Sequence, residues 1–194
     1  MEPAIHPPLL RAAAGKRLVV FDYDGTLAEL EVDWEEMRRD LREQALQSGF
    51  DSHFRPLWRE MARLRDERGI EAVRALFPAV RRYEQRGVER QLPRPEIVEF
   101  ARRTQRASDA DGPTLAVFSA NLHATVLEGL SALGLEPFAV VVGADDVDRW
   151  KPEAAGLQLA MQRAGAGPSE TLFLGDSPGD QDAAQAAGAH FLSV

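Results

Sequence analysis

The sequence predicts an α/β fold in which an open parallel sheet is interrupted once by a block of helices, and three observations carry that expectation. Short apolar runs at Leu18–Phe21, Thr114–Phe118, 139–142, 171–174 and 190–194 read as strands. Beyond residue 93 they alternate with helix-length segments, as a parallel sheet with right-handed crossovers requires. The first run leads straight into Asp22-Tyr23-Asp24-Gly25-Thr26-Leu27, so two carboxylates and a turn-forming glycine stand at a strand end, where open α/β sheets place their ligands. From Asp33 to about Gln91 the texture changes to Arg, Glu, Leu and Ala with apolar positions at helical spacing, which marks a helical insert.

Composition sets the outer bounds. The 194 residues with 44% hydrophobic content suffice for one good core and a small second unit. A net charge of −8 excludes attraction to nucleic acid or an anionic membrane by a bulk positive field. Cysteine is absent, which removes disulfides and thiolate chemistry. Residues 1–16 have neither the charged start nor the apolar core of a signal peptide, and no apolar run approaches a membrane span. The expectation is a cytoplasmic protein.

Along the chain, Pro7-Pro8 open a short helix that Gly15 stops, and His6 reads as a solvated terminal residue. The insert's first helix is capped by Asp33, with Trp34, Met37 and Leu41 on one face; Leu57, Met61 and Leu64 share a face of a second. Gly49, Gly69 and Pro78 mark interruptions, Gly87 a helix end, and Pro93 with Pro95 a linker. Trp34, Trp58 and Tyr83 read as core of the insert, and its many arginines as a solvated surface paired with nearby acids. Helices are then expected over 96–107, 122–133 (with Asn121 as cap), 153–164 and 181–187, with residues 108–113 a polar loop and Gly134 and Gly188 as stops.

Taken alone, Asp22, Asp24 and Gly25 suit a polar turn as well as a site. Three later features decide the reading. Ser119 closes the strand Thr114–Phe118, Lys151 sits in Trp150-Lys151-Pro152, and Gly175-Asp176-Ser177-Pro178-Gly179-Asp180 closes the run at 171–174. In that order, with Asp-x-Asp-Gly-Thr-Leu first, the chain resembles the haloacid dehalogenase-like (HAD) superfamily in its phosphoglycolate-phosphatase-like branch, most of whose relatives are Mg-dependent phosphohydrolases. The resemblance covers almost the whole chain. It implies a Rossmann-like core of residues 1–29 and 93–194 with the first strand central, and a helical cap of residues 30–92. Two departures stand out. Many relatives place Asn immediately after the motif Ser, whereas here the order is Ser119-Ala120-Asn121. Relatives also continue past the strand equivalent to 190–194, so either the segment 7–14 or a second subunit is expected to cover the sheet there.

The same resemblance implies the chemistry. Asp22 is the nucleophile that forms an aspartyl-phosphate, and Mg²⁺ is held by the Asp22 and Asp176 side chains and the Asp24 carbonyl, with Asp180 a supporting or water-mediated partner. Asp24 is the general acid/base; dehalogenases of the superfamily lack an acid here, so it favours phosphoryl transfer. Ser119 donates a hydroxyl hydrogen bond, Lys151 balances charge, and backbone N–H groups at Ala120 and after Asp22 cradle phosphate oxygens. Thr26 and Glu29 mark the hinge to the cap. Arg38, Arg39 and Arg42, on the insert's first helix, are candidates for gripping a distal anionic group, with salt bridges to Glu35, Glu36 or Glu43 as the alternative. None of His53, His123 and His190 has metal-ligand spacing. The expected activity is a Mg-dependent phosphatase of a small phosphorylated metabolite, monomeric or homodimeric. A phosphosugar mutase and a non-catalytic binding protein remain as alternatives.

Overall fold

The computed structural model describes residues 7–107 and 112–194. His6 and the first part of the loop expected at 108–113 lie outside these. The amino-terminal helix α1 (Pro7–Ala13) is followed by the strand β1 (Leu18–Phe21) and, after the Asp22–Leu27 turn, by a two-residue strand β2 (Ala28–Glu29). Four helices come next: α2 (Trp34–Gln47), α3 (Leu57–Arg68), α4 (Ile70–Arg74) and α5 (Phe77–Val88). The chain returns through β3 (Leu92–Pro93) into α6 (Pro95–Ala107), β4 (Thr114–Phe118), α7 (His123–Ala132) and β5 (Val140–Val142). It ends with α8 (Ala155–Ala164), β6 (Thr171–Gly175), α9 (Pro178–Ala187) and β7 (His190–Ser193).

The five expected strands form one sheet in the order β5-β4-β1-β6-β7, and every pairing within it is parallel. All four residues of β1 are fully buried, as a central strand covered on both faces must be. The period of two sorts the side chains. Val19 and Phe21 face a cluster built with Phe100, Val126 and Leu130 from α6 and α7, while Leu18 and Val20 face Leu157, Ala160, Ala183 and Ala184 from α8 and α9. Phe21 meets the rings of Phe100 and Phe138 at centroid distances of 6.1 and 5.6 Å, and Phe118 meets Phe173 at 5.8 Å on the opposite face. From β1 the strand order runs outward through β4 and β5 and then back through β6 and β7 on the other side, so the carboxyl end of β1 lies at the switch point that opens a ligand crevice. Helix α1 lies near the last strand on one face of the sheet: Leu9 is buried in the face cluster against which Leu192 and Val194 also pack.

Helices α2–α5 gather Met37, Leu41, Phe50, Phe54, Met61, Leu64, Val80 and Tyr83 into a second apolar cluster. That cluster also takes in Leu122, Ala144 and Trp150, which belong to loops at the carboxyl end of the sheet, so the insert's apolar face is buried against those loops.

Local details differ from expectation where tertiary contacts outweigh local signals. Gly87 does not end α5; it lies within the last turn, where a Cβ would press on Val32. Pro78 sits in the first turn of α5, where its missing N–H costs nothing. The segment read as a linker is a ribbon in which Ala28 and Glu29 pair antiparallel with Pro93 and Leu92, and Pro95 opens α6. Asn121 does not cap α7, because its side chain is engaged elsewhere; Leu122 holds that position. Helix α9 begins at Pro178, with Ser177 and Asp180 closing a capping box. Trp58 is shared with the core, its ring 5.1 Å from that of Trp150.

Candidate active site

The residues singled out in the sequence converge at the carboxyl ends of β1, β4 and β6. The Asp22 N–H bonds the Leu174 carbonyl at 2.8 Å and the Ser119 N–H bonds the Val142 carbonyl at 3.0 Å, so both residues are fixed as continuations of the sheet ladder. Gly25 then reverses the chain at φ +90°, and a Cβ there would fall on the Asp176 carboxylate. Only glycine combines that backbone geometry with that approach.

Lys151 is the centre of charge. Its ammonium lies 2.6 Å from Asp22 Oδ1 and 2.6 Å from Asp180 Oδ1, over the rings of Phe118 and Phe173. Burial alone would pull this ammonium below its usual pKa; the Asp22 and Asp180 carboxylates outweigh that and hold it above. Asp180 is fully buried, and its Oδ2 accepts from the Ser177 N–H at 3.0 Å and hydroxyl at 2.6 Å. Asp22 is 6% exposed. Burial pushes its carboxyl up to about 7, against the pull of Lys151 and with Asp180 adding to the rise. Burial likewise pushes Asp24 up to about 6, opposed by the Leu30 N–H, which donates to Asp24 Oδ1 at 2.8 Å.

Oxygen atoms of Asp22, Asp176 and Asp180 lie within 4.8 Å of one another. Three carboxylates facing one ammonium leave negative charge uncompensated, and the donor set consists of oxygen alone. That chemistry fits a hard divalent cation such as Mg²⁺. Asp24 offers no side-chain oxygen to this group.

Ser119 is buried, and its hydroxyl donates to Asn121 Oδ1 at 3.0 Å while accepting from the Asn121 N–H at 3.2 Å. The Ala120 N–H between them makes no hydrogen bond among the described residues. Thr26 is buried with its hydroxyl unpartnered. On α2 the three arginines separate. Arg42 holds Asp51 through two nitrogens, Arg38 pairs with Glu35 and lies over the Trp34 ring with its Nε buried and unpartnered, and Arg39 is exposed. His123, given no role from sequence, places Nδ1 2.6 Å from Asp146 Oδ2.

Sequence reasoning missed Glu84. This α5 residue is 2% exposed, and its carboxylate accepts from the Asn121 side-chain amide at 3.0 Å, the Leu122 N–H at 3.1 Å and the Thr125 hydroxyl at 2.6 Å. Nothing local distinguishes it from the exposed acids around it; its role is set by what α5 packs against. Burial pushes its carboxyl from 4.5 up to about 7, opposed by those three hydrogen bonds. Between these values the folded chain holds a proton that the unfolded chain has released. Its stabilising contribution is therefore complete below 4.5 and is lost as pH rises through about 7, a change of roughly 3 kcal/mol. Glu84→Gln is expected to flatten that part of the stability curve. Denaturant titrations of both proteins across the window, in chelator, measure it; parallel curves would show that Glu84 does not titrate there.

Comparison with known proteins places this geometry. The sequence model of the haloacid dehalogenase-like hydrolases matches residues 19–194. The chain is 41% identical over 84 residues to pyrophosphatase PpaX of Bacillus pumilus, 43% of this chain and 39% of that protein. It is 49% identical over 51 residues to the phosphoglycolate phosphatase of Escherichia coli, 26% of this chain and 20% of that one. The chain thus aligns with about two fifths or less of these curated relatives' own lengths. Among solved structures, CbbY of Rhodobacter sphaeroides, crystallised with xylulose-(1,5)bisphosphate and with phosphate, superposes with a TM-score of 0.65 at 24% identity, over 92% of this chain and 85% of that one. A hydrolase from Pseudomonas syringae superposes with a TM-score of 0.63 at 22% identity, over 92% and 84%. These superpositions share the α/β fold, and the match over residues 19–194 settles the family: the chain belongs to the haloacid dehalogenase-like hydrolases.

Proposed function

We propose that this chain is a phosphatase that hydrolyses a monoester of a small phosphorylated metabolite through an aspartyl-phosphate on Asp22. The observation that carries the reading is the Lys151 ammonium, 2.6 Å from both Asp22 and Asp180, at the mouth of the sheet. A largely buried lysine held charged between two carboxylates, beside a third carboxylate and an unused backbone donor at Ala120, is an arrangement for a dianionic phosphoryl group. The names of the curated relatives, a pyrophosphatase and a phosphoglycolate phosphatase, support a phosphoryl substrate of small size.

In this reading Asp22 attacks phosphorus and the ester oxygen departs with a proton from Asp24; Asp24 then takes a proton from the water that releases phosphate. Lys151 holds Asp22 in line and offsets charge on the phosphoryl oxygens. The Ala120 N–H and the Ser119 hydroxyl, once turned from Asn121, bind those oxygens. Asp22 and Asp176, with Asp180 beside them and the Asp24 carbonyl, would hold Mg²⁺, which when bound supplies the positive charge that lets a carboxylate approach a phosphate dianion.

Residues 30–92 act as a cap over a core of residues 1–29 and 93–194. Support comes from the insert's own apolar cluster, its neck of two paired dipeptides, and its seat on the loops that carry the site. With Asp22 and Ser119 almost wholly covered, substrate enters when the cap lifts. Arg38, with its Nε unpartnered, and the exposed Arg39 keep hydrogen-bonding capacity for a distal anionic group, whereas Arg42 is already occupied by Asp51.

A panel of phosphorylated metabolites and p-nitrophenyl phosphate, each assayed with Mg²⁺ and with EDTA, tests the reading. Free phosphate is expected with Mg²⁺ and none with EDTA. Arg38→Ala is expected to lower kcat/KM for the best anionic metabolite by about tenfold, with p-nitrophenyl phosphate nearly unchanged. An isomerised sugar phosphate in place of free phosphate would make the chain a mutase, and binding without turnover a non-catalytic relative.

A further inference from the structure

The loop after β4 is tied by its backbone to Val142 and Ala144, and its side chains are held in addition by a residue of the helical insert. Ser119 donates to Asn121 Oδ1, and the other end of the same amide donates to Glu84 Oε1 at 3.0 Å. Glu84 Oε2 takes the Leu122 N–H and the Thr125 hydroxyl at the start of α7. A carboxylate accepts and cannot donate, so it fixes which way the Asn121 amide faces: nitrogen toward Glu84, oxygen toward Ser119. All four polar side chains in this chain of contacts are buried, where an unpaired group is costly. The alternative, an Asn121 amide turned over, would leave Nδ2 against Ser119 and two acceptors face to face at Glu84.

The same two helices are fastened again by Arg81, and the chain just past the end of α5 is tied to α7 by Gln91. Arg81 donates to the Thr125 hydroxyl at 3.2 Å and pairs with Glu128. Gln91 accepts from the Tyr23 hydroxyl and donates to the Gly129 carbonyl at 3.2 Å. Tyr23 follows Asp22 directly. The insert therefore reaches both sides of the site, the Ser119 loop through Glu84 on α5 and the Asp22 turn through Gln91 just beyond the end of α5.

We propose that Glu84 is a positioning residue for phosphate binding, acting through Asn121 to set the backbone of the Ser119–Asn121 loop, and with it the Ala120 N–H, when α5 lies against α7; the Asn121 N–H stays on Ser119 Oγ when the Ser119 hydroxyl turns to phosphate. This rests on the reading of the site as a phosphoryl-binding one. Its consequence is that the grip on phosphate is complete only with the insert seated, so ordering of the loop accompanies closure.

The test uses the full chain with Mg²⁺, on the alkaline side of the Glu84 titration, as wild type, Glu84→Gln, Asn121→Ala and the double variant. Calorimetry gives the Kd of inorganic phosphate without requiring turnover; p-nitrophenyl phosphate, which has no distal group for the insert to hold, gives KM and kcat. Glu84→Gln is expected to weaken phosphate binding and raise KM by about tenfold each, with a smaller change in kcat. Asn121→Ala is expected to do the same, and the double variant no more than either alone, because the two residues act as one connection. Wild-type phosphate affinity in Glu84→Gln, or effects that multiply in the double variant, would overturn the proposal while leaving the phosphatase reading intact. Should Glu84→Gln fail to fold, Asn121→Ala decides alone, since it leaves the Glu84 bonds to Leu122 and Thr125 in place; unchanged affinity there overturns the proposal. A wild type that neither turns over nor binds phosphate would overturn both.

Discussion

Asp22→Asn is expected to reduce hydrolysis of every phosphate monoester to background while the chain remains folded. The amide has nearly the shape of the carboxylate but cannot act as the nucleophile. Folding survives because the substitution takes a charge out of a site where burial already disfavours it, and because Lys151 retains Asp180 at 2.6 Å as its counter-ion. Circular dichroism and a thermal melt beside the activity assay separate loss of chemistry from loss of structure. Turnover in a folded Asp22→Asn chain would remove Asp22 from the mechanism.

Asp24→Asn is expected to cost about 10²- to 10⁴-fold in kcat for alkyl phosphates, the usual worth of a positioned acid and base. The side chain should stay where it is, because an amide oxygen can still accept the Leu30 N–H that Asp24 Oδ1 accepts at 2.8 Å. With its carboxyl lifted to about 6 by burial, Asp24 titrates near neutrality, where a group both gives and takes a proton most effectively. The loss should shrink for p-nitrophenyl phosphate, whose leaving group departs without a proton. Equal losses for aryl and alkyl esters would show that Asp24 does something other than protonate the leaving oxygen.

How legible the molecule was depended on where each interaction lies along the chain. The five strands could be read because each is an apolar run bounded by turns, and β1 could be placed at the centre because the resemblance carried the topology. The cap of α2 by Asp33, whose side chain accepts from the Glu36 N–H at 2.9 Å, is a contact over three residues and was equally visible. The ribbon of β2 and β3 was not, since two residues on each side, one of them a proline, show no periodicity. Gly87 read as a helix stop because glycine ends helices by default; what holds it inside α5 is its closeness to Val32, far away in sequence. Trp58 read as insert core and packs there, and its tilted ring also meets that of Trp150, beside Lys151. Glu84 was the least legible of all. In Arg81-Arg82-Tyr83-Glu84-Gln85-Arg86 it looks like one more solvated acid, and only the packing of α5 on α7 turns it inward to Asn121, Leu122 and Thr125. The candidate catalytic residues were legible because phosphoryl chemistry demands particular side chains at strand ends. The residues that hold them were not, because their partners lie some forty positions away.

In the proposed reaction Asp22 carries the phosphoryl group between ester and water. Acid-quenching the Mg²⁺-loaded protein within its first turnovers of p-nitrophenyl phosphate, then digesting it and weighing the peptides, tests this most directly. The peptide containing Asp22 is expected to gain the mass of one phosphoryl group in wild type, the adduct to accumulate in Asp24→Asn as its hydrolysis slows, and no adduct to form in Asp22→Asn. Phosphoryl mass on any other peptide, or steady turnover with the Asp22 peptide unmodified at every quench time, would contradict it.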